Sequence, residues 1–293
     1  MDNTFDKMFY MEGEMLAGVD ESGTSDIAGP LVAACVILPR IDPRVHDLKI
    51  FEVNDCKKVP KQFRKGLAEV VWQTAIAIGI GEVQPSELDF FTRQQAASLA
   101  MLRAVMACKH TVKGRHILPN FILVDGDHPI PVNIKQATLR YLDEKSLCCA
   151  AASIIAKVYR DEVMLKLHEA YPYYGWDSNK GFAAEDHLTG LDRHGPVLGV
   201  HRMSYWPFRA NKKHRQENEK EHEKWEKRRR VWRATANRKQ AQETAESLWT
   251  SKSPLWKPSQ TFNDLPPQIA RSIETMNSSK ELSADKKIEM SSP

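Results

Sequence analysis

The chain has 293 residues, 42% of them hydrophobic, and a formal net charge of +4, which suits one large globular domain with an extension. No window approaches the roughly 20 uninterrupted apolar residues of a membrane span, and the acidic N-terminus lacks the basic and apolar regions of a signal peptide. The five cysteines form no CxxC pair and two are adjacent, so we expect a cytoplasmic protein without a disulfide framework.

Two apolar runs near the N-terminus predict a β-hairpin. The first, residues 15–19, ends in Asp20 and Glu21, and the second spans 27–38 after a short polar link that contains glycine. Carboxylates are costly where a strand leaves the core unless a cation meets them. A charged hairpin tip in water is the alternative, so this segment alone leaves the role of the two acids open.

Helix-like and strand-like patterns alternate after the hairpin. This order is typical of an α/β fold in which helices flank a sheet. Helices are predicted at 60–77, at 86–108 with a capped start, and at 149–170, and strands at 78–83, 121–125 and 137–142.

A second acid follows a buried strand pattern, because the apolar run 121–124 ends in Asp125. Two strands that each deliver an acid where they leave the core are a common way to build a carboxylate metal site in α/β proteins. Taken alone, Asp125 could equally be a turn residue, since Gly126 follows it.

The composition changes after residue 210. Residues 212–239 contain 12 Lys or Arg and 5 Glu, so this stretch carries +7 and the rest of the chain −3. Because residues 211–250 are dense in helix-forming charged residues, we expect a basic helical extension there, and the Ser- and Pro-rich residues 251–293 predict a disordered tail. The extension could bind a phosphate backbone by counterion release or be a solvated helix.

Six motifs follow one another in order along the chain. They are Asp20-Glu21 with the run at 28–34, Asp55-Cys56-Lys57-Lys58, Val124-Asp125-Gly126, the segment 151–161, the segment 174–182 with His187-Leu188, and the segment 201–205. Together they resemble the type 2 ribonucleases H, ribonuclease HII and its relative ribonuclease HIII. The resemblance covers residues 14–210.

This resemblance implies a ribonuclease H-like fold over residues 14–210, with a mixed central sheet flanked by helices and a short lead at residues 1–13. It also implies a metal-dependent endoribonuclease that cuts the RNA strand of RNA–DNA hybrids and leaves 3′-hydroxyl and 5′-phosphate ends. We expect a monomer with no membrane contact. A protein that kept the fold and only binds hybrids or structured RNA is the alternative.

The resemblance assigns both catalysis and metal binding to Asp20, Glu21, Asp125 and Asp143. Two Mg²⁺ or Mn²⁺ ions held by carboxylates suit phosphodiester hydrolysis. Asp143 is assigned by its place ahead of the Ala-rich helix, and Glu144 is its rival one residue away. Because neighbouring strand residues point to opposite faces, the strand is expected to bend or end at Asp20 and Glu21 if both bind one metal.

The recognition segments depart from the family pattern. Gly23-Thr24-Ser25 stands where ribonucleases HII carry Gly-Arg-Gly and ribonucleases HIII carry Gly-Lys-Gly, in the loop that reads 2′-hydroxyls in that family. Phe182 replaces a tyrosine that stacks at the RNA–DNA junction, and Asn179 replaces a histidine. These changes predict weakened recognition of a single embedded ribonucleotide.

Four lysines are candidate contacts to the phosphate backbone, although each alone could be a solvated surface lysine. The expected substrate-binding residues are Gly23, Thr24, Ser25, Lys57, Lys58, Lys157, Lys180 and Phe182.

Other polar residues of the motifs have structural interpretations. Arg160 and Asp161 are predicted to form an ion pair with each other. His187 and His201 could be packed and hydrogen-bonded or catalytic, and the residues alone do not separate these roles.

Overall fold

The computed structural model describes residues 4–9, 15–40, 50, 52–53, 56, 58–205, 207–208 and 227. The predicted basic extension, apart from Lys227, and the predicted tail lie outside the described residues, as do Asp55 and Lys57. None of the described helices is both long enough and apolar enough to cross a membrane.

Within the described residues, six strands form one mixed sheet. In chain order the strands are β1 (Leu16–Ser22), β2 (Leu31–Ile37), β3 (Ala77–Val83), β4 (Lys109–His110), β5 (Phe121–Asp125) and β6 (Lys135–Leu139). Their spatial order is β4-β3-β2-β1-β5-β6. β1 pairs antiparallel with β2 and parallel with β5, so the predicted hairpin is confirmed and lies at the centre of the sheet.

Helices lie on both faces of this sheet, which confirms the predicted α/β class. In chain order they are α1 (Thr4–Lys7), α2 (Lys61–Thr74), α3 (Pro85–Leu88), α4 (Arg93–Met106), α5 (Leu147–Ala170), α6 (Trp176–Asn179) and α7 (Glu185–His194). Two 3-10 turns, Leu142–Glu144 and Pro172–Tyr174, flank α5.

The single helix predicted at 86–108 is wrong, since the chain forms two helices there. Gln84, not Ser86, caps α3, which ends at Leu88. A capping box then starts α4. The Thr92 side chain accepts a hydrogen bond from the Gln95 backbone N–H at 3.2 Å, and the Gln95 Oε1 accepts one from the Thr92 backbone N–H.

The strand predicted at 137–142 lies slightly earlier, at Lys135–Leu139. It ends there because Tyr141 adopts a left-handed backbone conformation, with φ of 61°, and directs the chain into the 3-10 turn Leu142–Glu144.

Alternate residues of β1 supply two separate cores. Leu16 belongs to the core on the α5 side, where α2 packs as well, whereas Ala17 and Val19 belong to the core on the α4 side. Thus the side-chain alternation of β1 decides which helix each of its residues meets.

Gly18 lets α5 approach β1 closely. A Cβ at this position would overlap the backbone of Cys148 and Cys149 in the first turn of α5. We expect Gly18→Ala to lower the free energy of unfolding by about 1–3 kcal/mol, because the backbone must shift to make room. Urea denaturation measures this loss.

Gly66→Ala on α2 is the matched control for this substitution. A Cβ at Gly66 has no atom within 4 Å, so alanine there should raise the free energy of unfolding by about 0.5–1 kcal/mol. Equal effects of the two substitutions would contradict the close approach of α5 at Gly18.

Candidate metal centre

Three carboxylates converge where the pairing of β1 with β5 ends. Because these strands are parallel and Val19 is paired with Val124, the next residues, Asp20 and Asp125, emerge side by side at one edge of the sheet. Asp143 joins them from the 3-10 turn Leu142–Glu144. One carboxylate oxygen from each of the three acids lies within 4.8 Å of the others.

Asp125 also helps to position Asp143. Its Oδ1 accepts a hydrogen bond from the Leu142 backbone N–H at 2.8 Å, which fixes the turn one residue before Asp143. The Leu142 carbonyl accepts in turn from the Ser146 N–H at 2.7 Å. The turn that carries the third acid is therefore held by the second acid and by the start of α5.

Glu144, the rival of Asp143, lies outside this cluster. Its carboxylate pairs with Lys58 Nζ at 2.8 Å and is more than a third exposed, whereas Asp143 is 5% exposed. The geometry therefore favours Asp143 as the ligand.

Burial and neighbouring charge act strongly on Asp20, which is 5% exposed. Desolvation raises the pKa of its carboxyl well above 3.8, and the charges of Glu21, Asp125 and Asp143 raise it further. A hydrogen bond from the Ser153 side chain opposes this rise. A cation at the cluster would offset both the burial and the repulsion.

The donor set fits a hard divalent cation. All three groups are carboxylates, the ligands that Mg²⁺ and Mn²⁺ prefer over imidazole or thiolate. Three protein oxygens leave coordination positions for water and for a phosphate oxygen.

Glu21 does not converge with the other three acids. β1 does not end at Asp20 and Glu21 but one residue later, at Ser22, which is paired with Val32. Asp20 faces α5, and the alternation of β1 directs the Cα–Cβ bond of Glu21 away from that face. The Glu21 Oε1 accepts a hydrogen bond from the Thr24 hydroxyl at 3.2 Å, and the charge of Glu21 raises the pKa of Asp20 more than the charge of Asp125 or that of Asp143 does.

Arg160 holds the loop that follows β1. Its guanidinium is fully buried, pairs with Asp26 at 2.8 Å and donates to the carbonyls of Ala28, Pro30 and Lys180. The predicted pair with Asp161 is wrong. Consecutive helical residues point in different directions, so Asp161 instead meets Lys157, one turn earlier, at 2.7 Å.

The predicted loop residues 23–25 directly follow β1. Gly23 has a φ of 90°, a conformation that glycine favours, and its carbonyl accepts a hydrogen bond from the buried Arg202 at 2.7 Å. Thr24 is half-buried through its contact with Glu21, and Ser25 is exposed. The backbone of this loop is thus fixed by buried arginines.

The structure brings together two of the predicted phosphate-binding lysines. Burial lowers the pKa of Lys180, and the charges of Lys157 and Lys61 act in the same direction, against those of Asp161 and Asp177. Lys58 lies apart from them in its ion pair with Glu144. Lys61 was missed, since nothing in the sequence separates it from the other lysines of α2.

Phe182 presents its ring to solvent, with 56% of the residue exposed. Its carbonyl accepts a hydrogen bond from His187 Nδ1 at 2.8 Å, and His187 Nε2 accepts from Trp176 Nε1 at 3.0 Å. Burial lowers the pKa of His187 to about 4, so this histidine is neutral at pH 7. The buried pair of His187 and His201, 3.1 Å apart, supports the turn that displays Phe182.

Asn179 has a structural role in the same turn. Its Oδ1 accepts from the Gly181 N–H at 2.8 Å, and its Nδ2 donates to the Tyr174 carbonyl at 2.7 Å. The asparagine therefore stabilises the backbone before Phe182.

Comparison of the sequence with known families and proteins gives a consistent result. A family model of ribonuclease HII matches residues 17–207. The chain is 39% identical over 202 residues to the ribonuclease HII of Caldanaerobacter subterraneus subsp. tengcongensis, covering 69% of this chain and 78% of the relative. It is 38% identical over 208 residues to that of Syntrophobacter fumaroxidans, covering 71% and 83%.

Solved structures share the fold. The ribonuclease HII of Archaeoglobus fulgidus, solved in a complex with PCNA, matches with a TM-score of 0.52 and 26% identity over 64% of this chain and 94% of that one. The ribonuclease H2 of Pyrococcus horikoshii matches with a TM-score of 0.54 and 20% identity over 73% of this chain and 99% of that one. The second likeness is one of fold.

Proposed function

This chain belongs to the ribonuclease HII family, and we propose that it is a metal-dependent endonuclease that hydrolyses the RNA strand of RNA–DNA hybrids. The observation that carries the proposal is the convergence of Asp20, Asp125 and Asp143, whose carboxylate oxygens lie within 4.8 Å of one another. The three acids come from separate parts of the chain, and the fold assembles them at one edge of the sheet.

Asp20, Asp125 and Asp143 would hold the divalent cations, with Glu21 as a proposed fourth ligand beside Asp20. When bound, two Mg²⁺ or Mn²⁺ ions make a water nucleophilic and stabilise the departing oxygen, which yields 3′-hydroxyl and 5′-phosphate ends. The chain orients its own ligands: Ser153 hydrogen-bonds to Asp20, and Leu142 fixes Asp125.

The loop 23–25, Lys157, Lys180 and Phe182 would bind the hybrid. The loop offers backbone groups and the Thr24 and Ser25 hydroxyls to the RNA strand, where 2′-hydroxyls distinguish RNA from DNA. The lysines offer charge to the phosphate backbone without reading sequence. Lys58 would contact phosphate after releasing Glu144. The phosphate contact of Lys57, the monomeric state and the cytoplasmic location stay predictions.

A cleavage assay tests this function. The full chain is incubated with a labelled RNA–DNA hybrid in Mg²⁺ or in Mn²⁺, and the ends of the products are analysed. We expect cuts in the RNA strand that leave 3′-hydroxyl ends. Binding without products in either metal would support the hybrid-binding alternative, and equal cleavage of duplex DNA would indicate a nuclease of another specificity.

The recognition segments predict a preference for long RNA tracts. With hybrids that contain one, four or many ribonucleotides, the substrate with a single ribonucleotide should be cut about tenfold or more slowly than the long one. The chain lacks both the cation of the family loop and the tyrosine hydroxyl, and each lost hydrogen bond to a charged group removes about 1.5–3 kcal/mol. Initial rates at subsaturating substrate measure the ratio.

Phe182→Tyr provides a matched test of this preference. Because the ring of Phe182 is exposed, the added hydroxyl has room. We expect the variant to cut the single-ribonucleotide substrate faster and the long hybrid at the original rate. Equal wild-type rates on all three substrates would show that Thr24, Ser25 and Phe182 suffice for junction recognition.

A further inference from the structure

The N-terminal segment Thr4–Phe9 makes a buried polar contact far along the chain. Asp6 is 1% exposed, and its Oδ2 accepts a hydrogen bond from the Cys148 backbone N–H at 3.1 Å, across 142 positions of sequence. This segment precedes the part of the chain that the ribonuclease HII family model matches, residues 17–207. The contact therefore belongs to this chain's own lead.

Aromatic packing fixes the same segment. The Phe9 ring lies 5.4 Å from that of Phe121 at the start of β5, and the Phe5 ring lies 5.3 Å from that of Phe9. Both phenylalanines pack against the core between the sheet and α5. The position of Asp6 is thus set by apolar contacts on either side of it.

Asp6 meets α5 at its N-terminus, where unsatisfied backbone N–H groups and the helix dipole favour a negative charge. Burial raises the pKa of the Asp6 carboxyl, while the nearby Ser146 side chain and the Cys148 N–H lower it by less. Ser146 is itself the N-cap of α5, and its Oγ accepts from the Cys149 N–H at 3.2 Å.

The contact continues from this cap to the acid cluster in two short steps. The Ser146 backbone N–H donates to the Leu142 carbonyl at 2.7 Å, and the Leu142 N–H donates to Asp125 at 2.8 Å. Asp143 is the residue after Leu142. A change at Asp6 therefore acts on the turn that places Asp143 against Asp20 and Asp125.

We propose that Asp6 is a positioning residue for the metal centre: by holding the first turn of α5 through the Cys148 N–H it fixes the adjoining turn that carries Asp143, and so sets the affinity of the acid cluster for a divalent cation. This inference rests on the proposed function, since it takes the three acids as the ligands. Without Asp6, the buried Cys148 N–H loses its acceptor, and the turn is anchored mainly through Asp125.

The test measures Mn²⁺ binding to the substrate-free full chain by titration calorimetry, so that no catalytic step enters. We expect Asp6→Ala to weaken binding by about tenfold, at the low end of the loss seen when a residue that orients ligands is removed. Asp6→Asn keeps an acceptor oxygen for the Cys148 N–H but loses the negative charge at the N-terminus of α5, so it should weaken binding by about threefold, the partial rescue that a positioning role predicts.

Leu167→Ala is the control for general loosening of the helix. Leu167 is buried near the opposite end of α5, in the core around Trp176, and truncating it should lower stability without moving the turn. We expect its Mn²⁺ affinity to equal that of the wild-type chain.

Two results would overturn the inference: an unchanged affinity in Asp6→Ala, or an equal loss in Leu167→Ala. If Asp6→Ala does not fold, an unchanged affinity in Asp6→Asn overturns it instead. A wild-type chain that binds no Mn²⁺ would contradict the proposed metal site itself, which distinguishes failure of the function from failure of this inference.

Discussion

Asp20→Asn is expected to lower hybrid cleavage by about 10³-fold or more while making the metal-free protein more stable. Cations at such sites supply several kcal/mol of transition-state stabilisation, and each 1.36 kcal/mol is tenfold in rate. The amide is neutral and cannot replace the carboxylate as an anionic ligand. Initial rates with Mg²⁺ and with Mn²⁺, at saturating hybrid, measure the loss.

The stability gain follows from the sign of the pKa shift. The folded state raises the pKa of Asp20 well above 3.8. At pH values between the pKa of Asp20 in the unfolded state and its raised pKa in the folded state, the folded state therefore binds more protons than the unfolded state. The free energy of unfolding contributed by Asp20 therefore falls as the pH rises through that window. Asp20→Asn removes this dependence, and at pH 7 in chelator its Tm should rise by about 2–4 °C for each kcal/mol gained.

Asp127→Asn is the control for removal of a carboxylate near the centre. Asp127 is exposed, lies two residues after Asp125 and pairs with Arg140 outside the acid cluster. Its substitution should leave the cleavage rate unchanged. Wild-type activity in Asp20→Asn, or a lower Tm in chelator at pH 7, would contradict the role of Asp20 given above.

The central sheet could be predicted because its strands carry their own signal. β2 is a continuous apolar run, and β1 and β5 begin as apolar runs and carry their acids at or near their C-terminal ends. The division of the helix predicted at 86–108 was also encoded, since Thr92 and Gln95 have the spacing of a capping box, but Ser86 and Glu87 offer a competing start. β4, with two residues, is too short for any periodicity.

The site was less predictable than the sheet. Asp125 is the last residue of β5, whereas Asp143 lies in a 3-10 turn after a left-handed Tyr141, where no periodic pattern exists. The sequence also gives no sign that Asp6 reaches Cys148 or that Arg160 reaches Asp26, because both contacts join segments more than 130 positions apart. Such pairs are fixed by tertiary packing.

Arg160→Met is expected to lower the free energy of unfolding by about 3–5 kcal/mol, the typical cost of removing one partner of a buried ion pair. Methionine fills similar volume but leaves Asp26 without its cation, and the carbonyls of Ala28, Pro30 and Lys180 without their donor. Urea denaturation in chelator measures the loss. Cleavage should fall as well, because these carbonyls belong to the segments on either side of the recognition residues.

Two companion variants separate the buried charge from the loss of packing. Arg160→Met combined with Asp26→Asn should recover part of the stability, since it removes the uncompensated carboxylate. Arg140→Met removes the exposed partner of Asp127 and should leave the free energy of unfolding nearly unchanged, because exposed ion pairs contribute little. Equal losses of unfolding free energy in Arg160→Met and Arg140→Met would contradict the role of Arg160. The loop after β1 would then be held by the backbone hydrogen bonds of Gly23, Gly29 and their neighbours.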